Sequence, residues 1–412
     1  MNFRPLRFFL FFLLLSYNTV LIAQSKDTTL PGELEEVIIR AYEQGKNLHR
    51  LPAAVGYVGN AELKRFNTAS ILMAVNTTPG VRMEERSPGS YRINIRGSAL
   101  RAPFGVRNVK VYFNELPYTD PGGHTYLNQL GFYDFGSLEI IKGPGSSLYG
   151  SGTGGVLLIE SMTANALPSV QVEYTGGSFG YNHLFGAVNL GDEHHTSRFA
   201  LHHLQTEGYR DHASVERTVF NWNGKFNLGS KTQLKTSFLL GDLQYQTPGA
   251  LKLDEFKINP RSSRPRVGTV AGSAEKQAAI MQKTFLAGAS LLHVMDSNFQ
   301  NRISIYGMFT ELNNPSIRNY GKNKDPHTGI RNTLHYQRTF NRMHLDLDVG
   351  AEVQIGFPTV DIHVNNNGNA ETLQSHDELD TRQHFFFGQS TLAYSGWSLT
   401  AGLSINNYKL SL

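Results

Sequence analysis

From residue 167 onward, hydrophobic and polar residues alternate with a period of two, and helical spacing disappears. In residues 343–355, Met343, Leu345, Leu347, Val349, Val353 and Ile355 fall on one face of a strand. His344, Asp346, Asp348, Glu352 and Gln354 fall on the other. Phe220, Trp222, Phe226 and Leu228 likewise oppose Asn221, Asn223, Lys225 and Asn227. Ile303, Ile305 and Phe309 repeat the pattern, as do Leu399, Ala401, Leu403 and Ile405. Long strands with one apolar and one charged face predict a transmembrane β-barrel, with lipid outside and water inside. A soluble β-sandwich is the rival, and the segment lengths and lopsided connections argue against it.

Eleven strands are predicted, at about 168–176, 181–190, 197–206, 217–228, 231–244, 279–293, 298–311, 332–340, 343–356, 382–394 and 396–408. Short turns fall at Gly229-Ser230, residues 296–298, Asn341-Arg342 and Ser395-Gly396. Long loops fall at 207–216, 245–278, 312–331 and 357–381. Short periplasmic turns and long outer loops are the pattern of an outer-membrane barrel. An odd count leaves an unpaired edge in lipid, where each unmet backbone group costs several kcal/mol. The sheet therefore reads as an incomplete barrel, or one that needs a partner to close.

The first 165 residues read differently. Arg4 and Arg7 precede the apolar run Phe8–Leu15, and Ala23 suits a cleavage site, so residues 1–23 read as a signal peptide. The run is short for a membrane span of roughly 20 residues. Residues 24–45 form a polar arm. Within it, Glu35, Glu36, Val37, Ile38 and Ile39 make a short acidic and β-branched run, able to add a strand to a partner's sheet or to begin the next domain. Residues 46–165 predict a small α/β domain, and 166–412 the partial barrel. In the small domain a strand at 52–58 precedes a short helix capped by Asn60. A helix over Thr68–Val75 ends at Pro79-Gly80. Strands follow at 91–95, 109–113 and 138–141, and a short helix is expected over 127–133.

Composition narrows the function classes. There is no cysteine, which removes disulfides, thiolate zinc sites, a cysteine nucleophile and a lipoprotein anchor. Charged residues make up 17%, below the usual quarter for soluble domains, which suits a chain that turns half of each strand to lipid. A net charge of +4 does not point to nucleic acid. No nucleophile–base pairing and no metal-ligand spacing is found, so no enzyme, metal site or cofactor is expected.

Between the apolar runs 138–141 and 156–159 lies a glycine-rich stretch from Gly143 to Gly155. Gly150-Ser-Gly-Thr-Gly154-Gly155 matches G-x-G-x-x-G in form, but a dinucleotide site needs a helix next, and Val156-Leu157-Leu158-Ile159 reads as a strand. The glycines instead imply tight turning past something bulky.

Taken together, the motifs resemble the plug of a TonB-dependent outer-membrane receptor. They run in order: the Glu35–Arg40 segment, like a TonB box; Pro79-Gly80-Val81; Ile95-Arg96-Gly97; residues 111–117, with Glu115 where glycine is usual; and residues 141–157, with Gly143, Pro144, Tyr149, Gly150, Gly154 and Gly155. The resemblance implies a plug folded inside a barrel of 22 strands, of which about eleven are present here. It implies a TonB protein on the box, outer-membrane lipid and lipopolysaccharide around the wall, and a small-molecule ligand on the plug loops. The cargo it implies first is a ferric siderophore or other iron complex. Haem, cobalamin and oligosaccharide are alternatives, as is a non-transporting or truncated surface receptor that serves as a docking site.

Loops 84–91, 98–107 and 118–126 are expected to face outward. Arg86, Arg101 and Arg107 would meet an anionic chelate, and Phe104, His124 and Tyr126 would stack or hydrogen-bond. The bland reading is that such arginines pair with acids on the inner wall and hold the plug. His194-His195 falls in a short turn, and His202-His203 must point to opposite faces of a strand, so neither pair reads as a metal site. Loop 245–278 carries six basic and three acidic residues. It reads as a solvated loop or as a surface for anionic siderophores or lipopolysaccharide phosphates.

Overall fold

A computed structural model describes residues 38–39, 41, 46–47, 53–85, 90–98, 106, 108–143, 146–150, 152–164 and 167–412. The small domain has a five-stranded sheet. In chain order its strands are β1 (Val55–Val58), then β4 (Val109–Phe113), β5 (Leu116–Pro117), β6 (Ser137–Lys142) and β7 (Gly155–Glu160). A separate hairpin joins β2 (Val81–Glu85) to β3 (Tyr91–Ile95). The spatial order is β1-β6-β7-β4-β5, with β4 and β7 parallel and the other pairs antiparallel. The strand after the glycine stretch is therefore real, and the fingerprint lacks the helix a dinucleotide needs.

The helices are shorter than their apolar spacing predicts. In α1 (Asn60–Lys64) the cap is Gly59 and not Asn60, because the Glu62 carboxylate accepts the Gly59 N–H at 3.1 Å. Only Leu72–Val75 of the predicted 68–75 helix forms, as α2. The Asn67 and Ser70 side chains accept the N–H groups of Ala69 and Leu72, which offers the backbone an alternative to helix. The expected helix over 127–133 is two 3₁₀ turns, 127–129 and 132–134.

The wall follows as β8 (Ser169–Gly176), β9 (Asn182–Gly191), β10 (His195–Thr206), β11 (Val215–Asn227), β12 (Thr232–Gln246), β13 (Ala279–Val294), β14 (Phe299–Pro315), β15 (Asn319–Phe340) and β16 (Met343–Gly356). After it come β17 (Thr359–Asn366), β18 (Asn369–Glu378), β19 (Asp380–Tyr394) and β20 (Trp397–Ser411). The main path of the sheet is antiparallel and consecutive from β8 to β16, then β19 and β20. It does not close, since β8 and β20 each have one strand neighbour among the described residues.

Two expected loops are corrected. Most of 312–331 is strand: β14 and β15 run on together, pairing Glu311 with Lys324 and Pro315 with Tyr320, around a tight turn at 316–318. Within 357–381, β17 and β18 form a hairpin, and β17 adds to the outer half of β15. In 312–331 the buried face is largely polar, with Asp325, His327 and Arg331, and in 359–378 both faces meet water, so no apolar stripe marks either segment as strand. In the long loop 247–278 a one-turn helix, α3 (Leu253–Ile258), also forms, with no buried residue.

The wall is inverted relative to a soluble protein. Arg198, Arg217, Gln282, Arg331, Asp346, Asp348 and Glu352 are buried, whereas Phe285, Ile305, Ile330, Val349, Val353, Leu403 and Ile405 are exposed. Buried charge and exposed aliphatic side chains together mark a lipid-facing exterior around a filled lumen. No helix of the described residues is long and apolar enough to cross a membrane. The lumen is filled by the small domain, whose core of Leu138, Ile140, Leu157, Ile159 and Phe113 is continuous with Phe185, Val219, Leu239 and Leu286 of the wall.

Candidate functional site

The glycine stretch is explained by what it passes. At Gly155, φ is +150°, and an added Cβ would collide with the Ile141 carbonyl oxygen across the β6–β7 pair. At Gly150, φ is +77°, and a Cβ would lie 2.9 Å from the Phe385 ring of the wall. Gly143 and Gly154 are described as well, and a Cβ on Gly154 would collide with Ser98. Pro144 lies outside the described residues. Arg96 adopts φ 49°, and its guanidinium donates to the Lys142 carbonyl at 3.0 Å, while Gly97 follows at φ 84°. The Ile-Arg-Gly element thus holds the entry to the glycine stretch. Tyr149 is buried edge-on to Tyr112, with ring centroids 5.5 Å apart, and the Arg331 guanidinium stacks near both rings.

Plug and wall meet through polar contacts that periodicity did not reveal, among them those of Lys110, Glu115 and Asp134. Lys110 Nζ lies 2.9 Å from Glu352 Oε1 and donates to Gln354 Oε1 at 2.8 Å. Tyr112 OH and Arg331 complete the carboxylate at 2.8 and 3.0 Å. Burial, then the Glu352 charge, push the Tyr112 hydroxyl well above its ordinary pKa, so it stays a donor. Glu115 accepts from Lys235 at 2.7 Å and from Ser290 Oγ at 2.7 Å, with Arg302 at 3.5 Å. Asp134 binds His202 Nε2 at 3.1 Å, Asn221 Nδ2 at 2.6 Å and the Gly131 N–H at 2.6 Å. Burial alone would raise the Asp134 carboxyl, but His202 and the Gly131 N–H hold it below the ordinary range.

Among the described residues, Lys110, Glu115 and Asp134 join the plug to the wall, with Arg331 and Arg302 supplied by the wall. One signal was available: a lone Lys110 inside the apolar run Val109–Phe113, where an unpaired charge is not tolerated. His202 is fully buried against the plug, and His203 bonds Thr218 on the opposite face, as alternation requires. His194 and His195 lie exposed at the turn held by Asp192.

A cavity of about 730 Å³ opens where plug segment 120–128 meets the outer halves of β12 to β15 and the base of the β17–β18 hairpin. His124 and Tyr126 both line it. Asp120 sits beside His124, with Nδ1 3.4 Å from Oδ2. Burial would raise the Asp120 carboxyl, yet His124 holds it below the ordinary range. Gln282 and Tyr245 complete the wall side. Arg86, Arg101, Phe104 and Arg107 lie outside the described residues, as do Glu35, Glu36 and Val37. Ile38 and Ile39 form a two-residue strand.

Residues 47–156 match the family model "TonB-dependent Receptor Plug Domain". The whole fold is similar to several solved structures. The ferric citrate transporter FecA in unliganded form has a TM-score of 0.74 at 13% identity, covering 87% of this chain and 56% of that one. The FpvAI–pyocin S2 complex gives 0.70 at 13% identity, covering 89% and 52%. BauA, the ferric preacinetobactin receptor from Acinetobacter baumannii, gives 0.70 at 14% identity, covering 89% and 59%. The chain thus spans little more than half the length of the structures it resembles.

Proposed function

We propose that this chain, which joins the plug of a TonB-dependent receptor to the wall of its β-barrel, is an outer-membrane receptor for energised uptake of a scarce ligand, a ferric siderophore or other iron complex. The observation that carries the reading is the 730 Å³ cavity, formed jointly by the plug segment with His124 and Tyr126 and by the wall. Its volume lies within the range of small-molecule sites. Two of the similar structures are named as ferric-complex transporter and receptor, which supports iron as cargo. A TonB protein pairing with Glu35–Ile39 by strand addition would couple the plug to an energy source. Movement of the plug would then require the contacts of Lys110, Glu115 and Asp134 to break.

The test is uptake of radiolabelled ferric siderophores into cells producing the chain, with and without Val37–Ile39. Loss of uptake on deletion supports the reading, and equal uptake overturns the coupling. A second reading, docking of a protein toxin, has support because one similar structure is a receptor–pyocin complex. The basic loop 245–278 would then contact lipopolysaccharide phosphates or the docked protein.

A further inference from the structure

We infer that the cavity takes an uncharged face of its ligand, the amide or hydroxyl groups of a chelate with no net negative charge, and that the Gln282 carboxamide is the residue that reads it. The inference rests on the receptor reading and sharpens its substrate class. Gln282 lies on the inner face of β13 and is 1% exposed. It lines the cavity, yet neither its Oε1 nor its Nε2 has a hydrogen-bond partner among the described residues. A buried carboxamide left unmet is costly, so this position favours a ligand that brings a donor and an acceptor side by side. Hydroxyl pairs, and the N–H and C=O of neighbouring amides, do so, whereas iron-bound hydroxamate, carboxylate and catecholate oxygens only accept.

The rest of the described lining agrees. Tyr245, Asn314 and Asn323 add neutral hydrogen-bonding groups. Among the described lining residues, the buried charged side chains are Asp120 of the plug and Asp325 of the wall, next to one another, with His124 beside Asp120. Lys324, between Asn323 and Asp325 in β15, is exposed and also lines the cavity, so one exposed cation stands beside the two buried carboxyl groups. A polyanion reaching the buried end would meet the adjoining Asp120 and Asp325 carboxyl groups. Arg86, Arg101 and Arg107 lie outside the described residues and take no part in this argument.

The test uses the full chain in detergent and two probes: a neutral ferric trihydroxamate chelate whose backbone carries free secondary amides, and a ferric tris-catechol complex of charge −3. Binding is measured by calorimetry, with thermal unfolding as the folding control. The neutral chelate is expected to bind at least about tenfold more tightly, and Gln282→Met, of similar volume, to weaken it by about tenfold, as for one net hydrogen bond. Gln282→Met itself should not destabilise the fold, since it removes an unmet amide. Equal or tighter binding of the tris-catechol complex overturns this inference alone, as does unchanged trihydroxamate binding in the variant. Binding of neither probe overturns the iron-receptor reading along with it.

Discussion

Glu115, in the plug turn between β4 and β5, places its carboxylate 2.7 Å from Lys235 Nζ on β12. The same residue has φ 72°, a left-handed conformation that favours glycine. Backbone strain and plug–wall attachment are thus invested in one side chain. Glu115→Ala keeps the strain and loses the contacts, and should destabilise by about 2 kcal/mol. Glu115→Gly loses the same contacts but relieves the backbone, and should be milder by about 1 kcal/mol. Denaturant unfolding in detergent gives both values. An alanine variant as stable as the glycine variant would show that the turn is not strained.

Lys110 and Glu352 form a pair with both side chains almost wholly buried. Removing one partner leaves the other charge uncompensated, so Glu352→Gln should cost about 3–5 kcal/mol and loosen the plug. Replacing all three buried charges, as Lys110→Met and Arg331→Met with Glu352→Leu, should cost less than the single change. Limited proteolysis of the plug, read beside thermal unfolding, tests the order of the three proteins.

Gly241 on β12 faces Gln129 of the plug, and an added Cβ would lie 2.7 Å from Gln129 Oε1. Gly241→Ala should destabilise by about 1–3 kcal/mol through overpacking, with the plug as the displaced partner. Gln129→Ala in the same chain should restore part of the loss. The double-mutant cycle measures it, and strictly additive effects would count against the contact.

Acid should loosen the seam at Asp134. Its folded pKa is depressed, so its stabilisation is complete above the unfolded value of about 3.9 and is lost as pH falls through that value towards the folded one. Asp134→Asn should flatten the acid limb of the unfolding curve while lowering stability at neutral pH. An unchanged acid limb would place the sensitivity elsewhere.

His376, in the exposed β17–β18 hairpin, has the opposite sign. Hydrogen bonds to Asp361 and Glu378 raise its pKa, so any support it gives the hairpin is present below the ordinary histidine value and is lost as pH rises through the folded one. The protection factors of residues 359–378, corrected for intrinsic base-catalysed exchange, should therefore fall on the alkaline side of that range, and His376→Gln should abolish that fall.

The sequence by itself determined the wall. Period-two alternation names which residues of β16 face lipid and which face the lumen, because a strand between lipid and water has no other way to satisfy both sides. It also determined the ordered motifs of the plug, since Gly150 and Gly155 occupy positions where a Cβ collides. Only the tertiary structure decided where lumen-facing polar groups find partners. Lys110 meets Glu352 from far along the chain, and no spacing encodes that pairing. The same holds for Gln282, one polar residue of an inward face until the plug leaves it buried and unmet beside a cavity. The strands beyond the membrane were hidden for a further reason: with water on both faces, β17 and β18 need no apolar stripe, and backbone pairing alone forms them.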